Sequence, residues 1–107
     1  MRLGARPSDV AILCHGLAAA AGAAAPRLAL PRSGTVFGLV ENAALPAVVE
    51  LAERAGAVFA LERARGAGPA PCDAFGAPPP ALELMRALKA RFDPARVLSP
   101  GRFVAGI

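Results

Sequence analysis

An α+β fold, with helices packed on one face of an antiparallel sheet, is predicted by three observations on this sequence. Short extended stretches alternate with stretches of helical spacing in the order strand, helix, two strands, helix, strand. Turn-forming residues fall between those stretches, at Pro7, Gly22, Pro31, Gly34 and Gly56. The chain also has 107 residues, enough for one small core and too few for a second of ordinary size. Hydrophobic residues make up 55% of it, but much of that share is alanine, and Phe with five copies is the only aromatic type. Alanine buries little area per residue, so such a core is expected to be marginal and some apolar surface to be meant for a larger body.

Each element has a local reason. Residues 3–6 suit a short strand that Pro7 stops. The Ser8 hydroxyl can accept from the free N–H groups of a following helix, and Asp9 suits its positive end. Val10, Leu13 and Leu17 share one face, Ala20 and Ala21 continue it, and Gly22 provides a stop. Residues 27–30 and 35–40 read as two extended segments around the turn Pro31-Arg32-Ser33-Gly34. Asn42 can cap the next helix, whose first turn tolerates Pro46. Leu45, Val48, Val49 and Ala52 form its apolar face, Gly56 ends it, and residues 57–61 follow as a strand. This order is that of a ferredoxin-like sandwich, with both helices on one side of the sheet.

Residues 1–63 are therefore expected to form the ferredoxin-like part, and residues 64–80 a Pro/Gly-rich linker. The linker's runs Gly66-Ala67-Gly68-Pro69 and Pro78-Pro79-Pro80 sustain neither a helix nor a central strand. Residues 81–107 then form a C-terminal helix and an irregular tail. Pro80 pre-sets the helix's first turn, Leu82, Met85, Leu88 and Phe92 line one face, and Asp93-Pro94 ends it. Phe92 is expected to pack as the anchor of that helix. The tail from residue 98 onward has little left to pack against and is expected to order only on docking.

Several function classes are excluded at this stage. The net charge is +4, with eleven arginines and the single lysine Lys89. The arginines are scattered from Arg2 to Arg102 without a run or interleaved aromatic rings, which fits a solvated surface and not a nucleic-acid interface. Cys14 and Cys72 lie far apart, and no secretory leader opens the chain, so a reduced, cytoplasmic setting with two inert packing cysteines is expected. The apolar stretch 10–25 is too short to span a bilayer and contains His15. One histidine and no close cysteine pair leave no metal-ligand spacing. His15 lacks a partner acid, and Glu50 and Glu53 read as a solvated helix face with Glu50 paired to Arg54. Gly34-Thr35-Val36-Phe37-Gly38 lacks the spacing of a phosphate-binding loop.

The C-terminal run is more specific. It comprises a helix containing Lys89, then Phe92-Asp93-Pro94, then Leu98-Ser99-Pro100-Gly101-Arg102-Phe103. This resembles the terminal signature of FAD-linked oxidases, a helix with a lysine, Phe-Asp-Pro, and a Leu-Asn-Pro-Gly-Arg or Leu-Asn-Pro-Gly-Lys tail. The lead-in Phe75-Gly76-Ala77-Pro78-Pro79-Pro80 and the ending Phe103-Val104-Ala105-Gly106-Ile107 look most like the E subunit of bacterial glycolate oxidase. The resemblance is close from Gly76 onward; earlier it is only a compatible pattern of elements.

The resemblance implies the C-terminal, substrate-side part of an FAD-dependent 2-hydroxy-acid oxidoreductase. Its FAD-binding domain would lie outside these residues, so this chain alone is expected to bind no FAD and to be inactive. Ser99 and Arg102 are the flavin-proximal candidates that it implies, and no residue is assigned a catalytic role. The implied partners are an FAD-binding domain or subunit and other glycolate oxidase subunits, with peripheral association at the inner membrane through them. Ser99 departs from the family's asparagine and loses an amide that both donates and accepts. The alternative from another class is a non-catalytic ferredoxin-like module that binds a protein or dimerises through its sheet.

Overall fold

The computed structural model describes residues 1–64 and 72–107. It divides into two compact units, Met1–Gly76 and Ala77–Ile107. The part of the expected linker at residues 65–71 lies outside the described residues.

Unit 1 has the element order β1 (Arg2–Gly4), α1 (Val10–Ala21), β2 (Arg27–Leu30), β3 (Thr35–Gly38), α2 (Leu45–Arg54) and β4 (Val58–Ala60). The four strands form one sheet in the order β2-β3-β1-β4, and every neighbouring pair is antiparallel. This is the ferredoxin-like arrangement that the alternation of periodicities predicts.

Register explains which side chains are buried. Leu3 pairs with Val36 on one side and Phe59 on the other, and Val36 pairs with Ala29. Side chains alternate along a strand, so Ala29, Val36, Leu3 and Phe59 make one transverse row on the helix side. That row packs with Val10, Leu13 and Leu17 of α1 and Leu45, Val48, Leu51 and Ala52 of α2. The opposite rows run Leu28, Phe37, Arg2, Ala60 and Leu30, Thr35, Gly4, Val58. There Leu28, Leu30 and Val58 are exposed.

Two glycines permit close approaches. Gly34 closes the β2–β3 hairpin after a 3-10 turn at Pro31–Ser33, in the left-handed region with φ 67°. A Cβ there would stand 1.8 Å from the Ala5 carbonyl oxygen, and the Ala5 N–H donates to the Gly34 carbonyl at 2.8 Å. Gly16 faces Leu51, whose Cδ1 would be 2.4 Å from an added Cβ. The missing side chain on α1 leaves the space that Leu51 fills. For that reason the buried face of α2 includes Leu51, while Val49, expected to face inward, is half-buried.

The helix termini differ from expectation at their starts. Ser8 and Asp9 belong to a 3-10 turn, Pro7–Asp9, that leads into α1. The Ser8 hydroxyl donates to Asp9 Oδ1 at 2.9 Å and caps no backbone group. Asn42 likewise opens a 3-10 turn, Asn42–Ala44, and α2 begins behind it with Pro46 in its first turn. The preceding turns carry the chain into each helix, so no side-chain cap is made at either N-cap residue. At the far end of α2, the Gly56 N–H donates to Glu53 and the Ala57 N–H to Ala52. With Gly56 left-handed, this is a Schellman stop.

Unit 2 contains α3 (Leu82–Phe92) and a tail ending in a 3-10 turn, Val104–Gly106. Pro80 stands just outside α3, whose N-cap is Ala81, instead of within its first turn. Leu82 and Met85 are half-buried, whereas Leu84, Leu88 and Phe92 are exposed, Phe92 by 79%. The expected anchor role of Phe92 is therefore overturned. By helical spacing Phe92 lies only about 20° from the half-buried Met85, so its face alone does not account for its exposure. Among the described residues no helix is long and apolar enough to cross a membrane.

Candidate functional site

The tail of unit 2 is organised by one carboxylate. Asp93 ends α3, and its side chain is 5% exposed on the residue scale, the one buried charged residue among those described. Its Oδ1 accepts the Val97 N–H at 2.9 Å and its Oδ2 the Leu98 N–H at 3.0 Å. Lys89, one turn earlier, places Nζ 2.6 Å from Asp93 Oδ2 and donates to the Leu98 carbonyl at 2.6 Å. One ammonium thus bridges the helix end to the tail, and the carboxylate closes the loop from the other side. The hydrogen bond from Lys89 is the largest cause holding the Asp93 carboxyl below its usual range. Burial pulls the other way, and the N–H groups of Val97 and Leu98 add to the lowering.

The rest of the tail follows in fixed turns. The Arg96 N–H donates to the Asp93 carbonyl at 3.0 Å, and the Arg102 N–H to the Ser99 carbonyl at 3.2 Å. Arg96, Ser99 and Ala105 adopt positive φ, at 52°, 45° and 50°. Such conformations are costly for residues with a side chain and persist where the surroundings over-determine them. Val104 is buried. The expectation that residues from 98 onward have little left to pack against is thereby corrected at the start of the tail, which Lys89 and Asp93 hold directly.

A cavity of about 660 Å³ lies within this unit, between α3 and the tail. Arg86, Lys89, Asp93, Arg96 and Gly101 are among its lining residues. Arg86 is drawn to Glu83 at 2.8 Å and Lys89 to Asp93. Ser99 and Arg102, the flavin-proximal candidates, sit at the two ends of the turn whose middle residues, Pro100 and Gly101, line the cavity. Neither is among the lining residues, and both are exposed.

From the sequence Asp93 reads as able to cap the turn that follows it, and the Val97 and Leu98 N–H groups bear this out; the missed partner was Lys89, read only as part of a pattern. The available signal was the i,i+4 spacing of the two, together with Lys89 being the only lysine beside eleven arginines. A compact ammonium can donate to two acceptors converging at 2.6 Å, where a planar guanidinium is bulkier and its donors are fixed in a fork. The left-handed backbone at Ser99 was not foreseen either. Asparagine tolerates that region better than serine.

The remaining candidates behave as structural groups. His15 is exposed, with Nδ1 3.2 Å from the Ala11 carbonyl of the same helix. Glu50 and Arg54 lie 3.8 Å apart as an exposed pair. Cys14 and Cys72 are free and half-buried against the core of unit 1. Burial pushes the Cys72 thiol upward, and the neighbouring Asp73 charge pushes it the same way, so it is not activated. No group of three metal-ligating side chains exists among the described residues.

The cavity of unit 2 has no aromatic side chain in its lining, and two of its cations are engaged by Glu83 and Asp93. What the arrangement provides is a basic, partly apolar surface. Comparisons with family models, curated proteins and solved structures returned no match to this chain.

Proposed function

We propose that this chain is the C-terminal, substrate-side part of an FAD-dependent 2-hydroxy-acid oxidoreductase of the glycolate oxidase type, and that it acts as a docking module. The reading places it in the cytoplasm, held near the inner membrane only through partner subunits. Flavin and the reacting groups come from an FAD-binding domain or subunit, and Ser99 and Arg102 are its flavin-proximal residues. The order of residue types from Lys89 to Phe103 supports the family. The observation that carries docking is the exposure of Leu84, Leu88, Phe92, Val97, Leu98 and Phe103 on a segment with a fixed backbone course. Six exposed large apolar side chains in so short a segment are apolar surface that association would cover. The clasp lowers the entropy lost when that surface is covered.

The test uses the full chain and a separately purified FAD-binding subunit of a glycolate-type oxidase. A stable complex in which 2-hydroxy acid bleaches the flavin, with neither component active alone, is the expected result. No complex at micromolar concentrations would overturn the reading. A second reading, a ferredoxin-like interaction module, is favoured by the open sheet face with Leu28, Leu30 and Val58 exposed. Substituting Val58→Asp separates the two, because it disturbs a sheet-mediated association and leaves one through α3 intact.

A further inference from the structure

We infer that the partner surface met by unit 2 is a protein groove with an apolar floor and a rim of carboxylates, and that unpaired arginines steer the approach. The inference rests on the docking reading and adds the chemistry of the partner. Unit 2 carries five cations, Arg86, Lys89, Arg91, Arg96 and Arg102, against the two acids Glu83 and Asp93, so +3 of the chain's +4 resides there. Both acids are consumed, Glu83 by Arg86 and Asp93 by Lys89. Arg91, Arg96 and Arg102 meet no acidic side chain among the described residues.

Their placement matches the apolar stripe. Leu84, Leu88 and Phe92 recur every four residues and are exposed on one side of α3. Arg91, three residues beyond Leu88, falls on that same side and flanks the stripe. Arg96 and Arg102 continue the basic character into the tail beside the exposed Val97, Leu98 and Phe103. An apolar ridge with unpaired cations along it is complementary to an apolar groove with anions along its edge.

A basic amphipathic helix also suits an anionic lipid surface. The tail argues for a protein instead. Three left-handed residues with side chains and a buried, bridged carboxylate hold one specific shape. A fluid headgroup layer gains nothing from a fixed course, whereas a groove of fixed shape does.

The experiment measures the affinity of the full chain for the FAD-binding subunit at about 0.1 M and about 1 M salt, where the screening length falls from ~10 Å to ~3 Å. Wild type is expected to bind at least about tenfold more weakly at the higher salt. Arg91→Glu should lower the low-salt affinity about fivefold or more through the association rate, and Leu88→Asp should abolish binding. Both positions are exposed, and unchanged circular dichroism and melting verify the fold of each variant. Binding that Leu88→Asp abolishes but that neither salt nor Arg91→Glu alters overturns the acidic rim and leaves the docking reading standing. Absence of binding by wild type overturns both. Vesicles of phosphatidylcholine and phosphatidylserine form the other arm. Vesicle binding lost in Arg91→Glu, with none to the subunit, assigns the surface to lipid and overturns the inference.

Discussion

Asp93 shows how much one side chain decides in unit 2. It accepts two N–H groups and an ammonium, so the ionised form is the one that holds the tail. Its pKa in the folded chain is depressed, and the unfolded chain therefore binds the proton more tightly. The contribution of the clasp is present above the usual carboxylate pKa of about 4 and is lost as pH falls through the depressed folded value. Amide exchange at Val97 and Leu98, referred to the intrinsic rate at each pH, should show protection near neutrality that disappears in acid. Asp93→Asn should remove it already at neutral pH. Protection unchanged in Asp93→Asn would mean that the tail is held by something other than this carboxylate.

Ser99 supplies a second residue-scale expectation. Serine in the left-handed region loses the preference that asparagine has there. Ser99→Asn should therefore raise stability by roughly 0.5 kcal/mol, by analogy with other relief of positive φ. A melting curve that falls on this substitution would show that the serine hydroxyl has a role beyond backbone geometry.

Among elements, the contrast between α1 and α3 is the informative one. Leu13 and Leu17 of α1 are fully buried against the sheet, and Leu13→Ala or Leu17→Ala should cost about 2–5 kcal/mol. Phe92 is 79% exposed, so Phe92→Ala should change the stability of the isolated chain by no more than about 0.5 kcal/mol. Chemical denaturation of both variants checks the pair. A large loss from Phe92→Ala would restore that ring to a core. The β2–β3 hairpin adds a backbone case: Gly34→Ala meets the Ala5 carbonyl and an unfavourable φ together, and should cost about 2 kcal/mol or more.

At the scale of the whole molecule, the core and the surface proposed for association lie in different parts of the chain. The buried cluster draws on the sheet, α1 and α2 of unit 1, while α3 has no buried residue at all. The cavity of unit 2 lacks an aromatic wall, and its charges are largely paired, so the chain alone should bind no flavin. Purification with excess FAD should give a colourless protein without a visible flavin spectrum. A stoichiometric yellow protein would refute the reading of this chain as one part of a flavoenzyme.

The sequence by itself determined the element order and the buried face of α1, because helical spacing is written directly in Val10, Leu13 and Leu17; which side of each strand faces the helices came from register. The sequence also determined the stops, since Gly34 and Gly56 occupy conformations that disfavour a side chain. Spacing alone left open which residues of an amphipathic stretch face inward. Leu51 is buried because Gly16, thirty-five positions away, leaves space for it, and no local pattern carries that information. The same holds for α3: Leu82, Met85, Leu88 and Phe92 fall within one arc of about 120°, as helical spacing requires, yet only Leu82 and Met85 are covered, a choice made by packing and not by spacing. The clasp likewise depended on the turn after Pro94, which brings the Leu98 carbonyl back to Lys89 across nine residues. Tertiary structure decided these points because burial and hydrogen bonding depend on groups that are distant in sequence and adjacent only once the chain has turned.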